Sequence, residues 1–408
     1  MRVVVIGINF PPEVAGIAPH TATLCRPLAA RGDDVHMVTA KPHYPAWRVF
    51  PEHRQSGFLR QTLDGVRVIR VPSYIPAHPG ALISRLLYDG SFALIAGLTA
   101  LLLPRADVYL YVGAQPAVAA ATALVARIRR RPWVAKVADL AVNAGAAVGI
   151  IRHPVLVRLL RAVEYTTYRH ANAVVVLSEG FAEELTRHGL RGRRLHVVPD
   201  SEDLDSFRPT RTRAETRRRH GLDPDQPLIT HIGGIGRKQG LQVAARAADE
   251  DQTGACWLLV GDGPERPAIQ RSAPAGRLRF LPFLSRPELA DILAASDVAL
   301  LTQRRHLIDA VVPSKLVTYM AAGLPVVASV HASSEAARLI RSAKCGLVVQ
   351  PEAPALLRDA VAELLDDPDR RRQLGAAGRA FAEREFDRSK VVARQASILE
   401  SLASPPGR

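Results

Sequence analysis

The feature that most constrains this chain is a double series of short β-branched runs, each followed by a helical pattern. The first half reads RVVVIGI, VHMVTA, VRVIRVP, VYLYVG, WVAKVAD, AVVVLS and LHVVP, with segments such as TATLCRPLAARG, LVRLLRAVEYTTYRHA and EGFAEELTRHG between them. Strands that are apolar almost throughout must be covered on both faces. Strands alternating with helices bring those covers from the crossovers of a parallel sheet. The grammar restarts at LITHIGG and runs through WLLVGDGP, LRFLPFL, VALLTQ, PVVASV and CGLVVQ. At 408 residues the chain also exceeds what one core usually holds, about 250–300 residues. We therefore expect an α/β protein of two doubly wound domains facing a cleft. The first covers 1–200, the second 201–385, and a helix over 386–408 returns to the first. The switch lies in the charged, proline-rich stretch between Pro199 and Pro227, where RTRAETRRRH (211–220) reads as a solvated helix face. The tail SPPGR reads as frayed.

Composition narrows the class. Three cysteines, Cys25, Cys256 and Cys345, are far apart and form no CxxC pair, so neither a disulfide frame nor a zinc site is expected and a reducing cytoplasm fits. The longest apolar stretch, FALIAGLTALLLP (92–104), falls short of the roughly 20 residues that span a bilayer. It reads as a buried helix, with contact to a membrane surface as the alternative. Net charge is +15, concentrated in residues 1–200, where 24 Lys and Arg face 13 Asp and Glu. Such an imbalance suits an anionic partner: nucleotide, lipid headgroup or nucleic acid. Single-stranded nucleic acid calls for interleaved aromatics, which are 5% of the chain and unclustered, so no nucleic-acid partner is expected.

In parallel sheets ligands sit outside the carboxyl ends of strands, near helix N-termini. Four such loops stand out, and for each of them plain turn or helix-start chemistry competes with a phosphate cradle. IGINFPPEVAGIAPHTATL (6–24) contains Gly16, where backbone can approach a ligand, and His20, which would meet acceptor or phosphate. THIGGIGRKQGLQVAARAA (230–248) holds Gly233, Gly234, Gly236 and Gly240 around Arg237 and Lys238, two cations able to neutralise a diphosphate. VGDGPERPAIQ (260–270) suits a tight turn. In DAVVPSKLVTYMAAGLPVVAS, Pro313 fits a first helical turn, Ser314 and nearby N–H groups can donate to phosphate, and Lys315 adds charge, with Asp309 just upstream. Asp203 and Asp205 resemble a metal pair, but their linker position favours a turn. No metal is expected.

In order, NFPPEVAGIAPHT, VVVLSEGFAEEL, VVPDSEDLDSF, HIGGIGRKQGL, LVGDGP, FLPFLSRPELADILAASDVALL and PSKLVTYMAAGLPVVAS resemble the retaining glycosyltransferases of family 4, with their two Rossmann-like domains (the GT-B architecture). GINFPPEVAGI, PHYPAW and AVVPSKL are similar to the colanic acid and exopolysaccharide type. The resemblance implies a nucleotide-sugar donor, GDP-sugar favoured over UDP-sugar, a metal-independent and cofactor-free transfer, and retention at the anomeric carbon. It implies a diphosphate held by Gly16, Arg237, Lys238 and the Ser314 helix end, and a base near Pro282, Phe283 and Leu284. Family members carry Glu-x7-Glu where this chain has Ala310 and Thr318. Asp309 would replace the first acid, and Thr318 would bond the ribose. The place of a sugar-facing histidine matches Lys136, three residues before Asp139, which is a secondary candidate for general base. The acceptor would be a lipid-linked glycan at the inner face of an anionic membrane, or a small secondary-metabolite molecule in solution. A non-hydrolysing sugar-nucleotide epimerase shares the architecture but needs acid/base pairs that are not evident here.

Overall fold

The computed structural model describes residues 1–14, 16–77, 81–140, 142, 143, 146, 153–272, 276–305 and 313–403. The chain divides into two compact units, Met1–Ser201 with Val391–Arg408, and Glu202–Lys390. Asp309 and Ala310 lie outside the described residues, as does the tail from 404 on.

The first unit holds an eight-stranded sheet in the order β3-β4-β2-β1-β5-β6-β7-β8. Its elements are β1 (Arg2–Ile6), α1 (Ala18–Ala30), β2 (Asp34–Ala40), β3 (Leu59–Leu63), β4 (Val66–Val71), α2 (Leu82–Leu102), β5 (Val108–Gly113), α3 (Pro116–Arg129), β6 (Trp133–Val137), α4 (Pro154–Arg169), β7 (Ala173–Val176), α5 (Glu179–Arg187) and β8 (Leu195–Val197). All pairs are parallel except the edge hairpin β3–β4. β1 pairs with β2 on one side and β5 on the other, so chain order reverses there and the loop after β1 opens at the switch point. Val3, Val5, Val108, Leu110 and Val134 form one core layer, closed by Val391, Ala396 and Leu399 of the last helix, α14 (Arg388–Ala403).

The second unit holds six parallel strands in the order β11-β10-β9-β12-β13-β14. Its elements are α6 (Arg213–Arg219), β9 (Leu228–Ile232), α7 (Gln242–Asp249), β10 (Cys256–Val260), α8 (Arg266–Ser272), β11 (Leu278–Leu281), α9 (Arg286–Ala294), β12 (Val298–Thr302), α10 (Ser314–Ala321), β13 (Val326–Ser329), α11 (Glu335–Ala343), β14 (Gly346–Val349), α12 (Pro354–Asp366) and α13 (Pro368–Glu385). The switch point lies between β9 and β12.

Two expectations are corrected. Residues 92–102 of FALIAGLTALLLP close a 21-residue helix, α2, whose Phe92, Ala96 and Ala100 are fully buried while Leu94 and Leu98 are 64% and 55% exposed. The apolar run read short because Arg85 and Asp89 interrupt it without ending the helix. RTRAETRRRH is likewise not a uniformly solvated face. Arg217 is fully buried, donating to Ala295 O at 2.9 Å, to Pro224 O at 2.9 Å and to Asp297 Oδ2 at 2.9 Å. A buried guanidinium needs acceptors for its five N–H groups, and the turn carbonyls supply them.

Candidate functional site

The second unit gathers its chemistry at the β9/β12 switch point. β9 ends at Ile232 and the chain turns through Gly233, at φ +103°, into the cationic loop. That loop rests on the next one. Gly233 N donates to Val260 O at 2.8 Å, Ile235 N to Asp262 O at 2.9 Å, and Glu265 N to Ile235 O at 3.1 Å. The fit excludes side chains. A Cβ at Gly261 would stand 1.9 Å from Gly233 O, and one at Gly263 would stand 2.4 Å from Ile235 O. The glycines of VGDGP therefore let two backbones lie against each other, so the Gly233–Gly240 loop has a fixed floor.

Arg304, just after β12, closes the loop from the other side. Its backbone N–H donates to Lys238 O at 3.0 Å and its Nε to Arg237 O at 3.2 Å, while Thr302 Oγ1 donates to Gln239 O at 2.7 Å. The guanidinium also pairs with Glu265 at 3.9 Å and Glu352 at 3.5 Å. With its carbonyls tied back, the loop leaves the Arg237 and Lys238 side chains exposed to solvent.

α10 meets this loop head-on. Pro313 is not in the first turn, as its sequence position suggested, but is the N-cap, with ψ 123°; Ser314 opens the helix and is exposed. Among the described residues no side chain caps α10, which leaves first-turn N–H groups and the positive dipole end to an anion. Lys315 reaches across to the loop. A Cβ on Gly233 would lie 3.6 Å from its Nζ, which is itself 3.4 Å from Nε2 of His231. His231 is fully buried and its Nδ1 donates to Leu300 O at 3.2 Å, so Nε2 presents a lone pair to the ammonium. Burial, and then Lys315, hold the His231 pKa well below its usual value. Burial pushes Lys315 down to about 8. Neither His231 nor Arg304 was singled out from sequence. The histidine sits inside an apolar strand, and the arginine resembles any exposed basic residue.

Phe283, after β11, is 64% exposed beside exposed Pro282, while Leu284 packs onto the core. Phe283 offers a flat apolar surface to a base. Thr318 is 8% exposed and its hydroxyl donates to Ser314 O at 3.3 Å, so it is engaged within its own helix rather than held out for a ribose. Gly234 and Gly236 lie in the loop itself, where Gly236 N meets Gln239 Oε1 at 3.3 Å.

In the first unit, Gly16 stands at φ +65° with Tyr44 Cε1 3.3 Å from where a Cβ would be, so it accepts only glycine without strain. Glu13, 2% exposed, accepts the N–H groups of His43 and Tyr44, each at 2.8 Å, and His43 Nε2 meets the Tyr88 hydroxyl at 2.8 Å. This buried carboxylate ties NFPPEVAG to PHYPAW, a role hidden in the sequence because 30 residues separate the partners.

Lys136 does not fit a sugar-facing role. It is inside β6, 3% exposed, and its Nζ donates to Asp200 Oδ1 at 3.0 Å. His20 Nδ1 lies 3.7 Å from the same carboxylate. Burial works to raise the Asp200 carboxyl, but Lys136 and then His20 outweigh it and hold it below the usual range. Lys136 and His20 thus belong to one ion cluster. Asp139, at the end of β6, accepts the N–H of Leu140 at 2.8 Å.

Comparison with known proteins agrees with this layout. Residues 15–200 match the family model described as a glycosyl transferase 4-like domain, and residues 212–381 match glycosyl transferases group 1. WcaI of Escherichia coli K12, assigned as a colanic acid biosynthesis glycosyl transferase, is 28% identical over 405 residues, covering 96% of this chain and 98% of that one. A GDP-mannose-dependent α-(1-6)-phosphatidylinositol monomannoside mannosyltransferase of Mycobacterium tuberculosis is 26% identical, covering 98% of each. Among solved structures, HepE of Anabaena in complex with UDP superposes with a TM-score of 0.72 at 17% identity, over 98% of this chain and all of that one.

Proposed function

Because the chain belongs to the glycosyltransferases, as a 4-like domain followed by a group 1 domain, we propose that it transfers a sugar from a GDP-sugar, in preference to a UDP-sugar, to a lipid-linked glycan, retaining the anomeric configuration without a metal ion or other cofactor. The observation that carries the donor site is the approach of Lys315 to Gly233: an ammonium, a glycine loop and an uncapped helix mouth meet at one switch point. That geometry suits a diphosphate.

As the sugar–phosphate bond breaks, negative charge builds on the leaving diphosphate. The first-turn N–H groups of α10, Lys315, Arg237 and Lys238 are placed to stabilise it, which removes the need for a bound cation. With the leaving phosphate as proton acceptor on the face it departs from, acceptor attack on that same face retains configuration with no protein nucleophile. Asp139 and the undescribed Asp309 stay as candidates for assisting that proton transfer. Preference for GDP draws support from the GDP-mannose-dependent relative, whose alignment runs the full chain. The lipid-linked acceptor draws support from the same relative, a phosphatidylinositol monomannoside mannosyltransferase. We place the protein in the cytoplasm, peripheral to the inner membrane face.

Thermal shifts with GDP, UDP, ADP and dTDP, in EDTA and in magnesium, test the donor. A ligand at about 100 times its Kd adds about 2.7 kcal/mol. GDP is expected to shift the melt most, equally in EDTA. A larger UDP shift, or a shift seen only with magnesium, removes the corresponding part of the proposal. Anomeric NMR of the product tests retention, and an inverted product rejects it. Transfer to a small soluble acceptor but not to a lipid-linked one reassigns the acceptor.

A further inference from the structure

The first unit carries a surface that the donor site does not use. α2 packs onto the sheet through Phe92, Ala96 and Ala100. Its opposite side presents Ile83, Leu87, Leu94, Leu98 and Leu102, each at least 54% exposed. Intervals of four, seven, four and four residues put them on one stripe. Among the exposed residues of this 21-residue helix none is charged. Asp89 is half-buried, and burial, against the pull of Arg85, pushes its carboxyl up to about 7, so its negative charge is reduced near neutral pH. α3 packs beside α2 and adds exposed Leu124 and Ile128. α4 packs beside α3 and adds Val155, Leu159 and Val163. Three neighbouring helices thus share one apolar outer face, far more than scattered surface leucines.

Along these helices and their connections the exposed charge has one sign. Among the described residues of 82–169, the exposed Asp, Glu, Lys and Arg are Arg105, Arg127, Arg130, Arg158 and Arg169, with no exposed carboxylate. We propose that the α2–α3–α4 face docks on an anionic lipid bilayer, with α2 lying in the boundary between headgroups and acyl chains. Leucines would enter the acyl region while the arginines meet lipid phosphates. By length and composition α2 is a candidate to span a membrane, but its inner side is committed to the sheet, so it lies along the bilayer rather than across it. A second copy of the chain is a poorer occupant, since two-fold pairing would set the arginine rim against itself. The inference deepens the lipid-linked acceptor reading and rests on it for why the enzyme should meet a membrane.

Flotation of the full chain with phosphatidylcholine vesicles, with and without phosphatidylglycerol, tests this directly. The protein is expected to float with the anionic vesicles at low salt, to be released by high salt, and to ignore the neutral ones. L94D/L98D should weaken flotation by about tenfold or more while keeping the nucleotide thermal shift, which certifies its fold. R127A/R130A should weaken it less and flatten its salt dependence. The proposal is overturned if the wild type stays unbound at low salt. It also fails if folded L94D/L98D floats undiminished, or if sedimentation shows a dimer that L94D/L98D splits. Transfer confined to soluble acceptors would sink the acceptor reading and leave a positive flotation result standing.

Discussion

Nζ of Lys315 lies 3.4 Å from Nε2 of His231, and the histidine is oriented for that contact by Leu300 O on the neighbouring strand. The ammonium is half-buried and points to a neutral ring rather than a carboxylate. Among the described residues it is a cation without a counter-charge, at the place where a strand, a glycine turn and a helix mouth converge.

Diphosphate binding should depend on pH through Lys315. With its pKa near 8, the ammonium is present below that value and lost above it, so GDP affinity should fall as pH rises through about 8. Folding stability should move the other way. Between about 8 and the ordinary 10.5 the unfolded chain holds a proton that the folded one lacks, so stability should rise with pH in that window. Lys315→Met should abolish both trends and weaken GDP binding by about tenfold or more. Isothermal titration and urea melts from pH 6.5 to about 9.5 check both, and a variant with unchanged GDP affinity would remove Lys315 from the site.

Arg304 should act by holding the loop, not by touching substrate. Arg304→Met keeps the backbone bond to Lys238 O but frees the carbonyl of Arg237 and breaks the pairs to Glu265 and Glu352, so kcat/KM should drop by about tenfold or more with a small change in urea midpoint. Arg304→Lys should restore little, since a point charge cannot reproduce the planar fork. Near-wild-type turnover by the methionine variant would assign the residue to surface charge alone.

Gly261→Ala should destabilise the second unit by about 1–3 kcal/mol or more, because its Cβ would stand on the Gly233 carbonyl. GDP binding should weaken with it, since the displaced backbone is the start of the loop proposed to hold the donor. Alanine at Gly276, whose φ is also positive but which has open space around it, is the control: it should cost stability through backbone strain alone and leave GDP affinity intact. Equal losses of GDP affinity in both would contradict the packing argument.

Lys136→Met should cost stability without changing donor affinity. It strands the Asp200 carboxylate, whose depressed pKa makes the cluster's contribution present above the ordinary carboxylate value and lost as pH falls through the lowered one. The variant's deficit relative to wild type should therefore shrink in acid. An enzyme that is fully stable but no longer turns over would restore the catalytic reading of Lys136.

Breaking the buried contacts of Arg217 should be the costliest change in the second unit. Arg217→Ala leaves turn carbonyls and Asp297 without donors in the interior, a loss of about 3–5 kcal/mol. A urea midpoint close to wild type would mean that water replaces the guanidinium.

The order of residues alone made legible the two doubly wound layers and the glycine-rich loops that follow their strands. Val and Ile runs, glycine turns and a Pro-Ser-Lys helix start act through the local backbone, and local backbone is written in consecutive residues. It missed β3, whose alternating LRQTL lacks the apolar continuity of an interior strand because it is an edge strand, about half exposed. Tertiary structure decided the rest. Lys136 could be placed in the strand run WVAKVAD but not joined to Asp200, 64 residues on; RTRAETRRRH did not reveal which arginine turns inward; and α2's apolar stripe could be divided into buried and open sides only once a sheet lay beneath it. Pair energies depend on which groups the fold brings within a few ångströms, and burial on what covers them, neither of which any one stretch of chain contains.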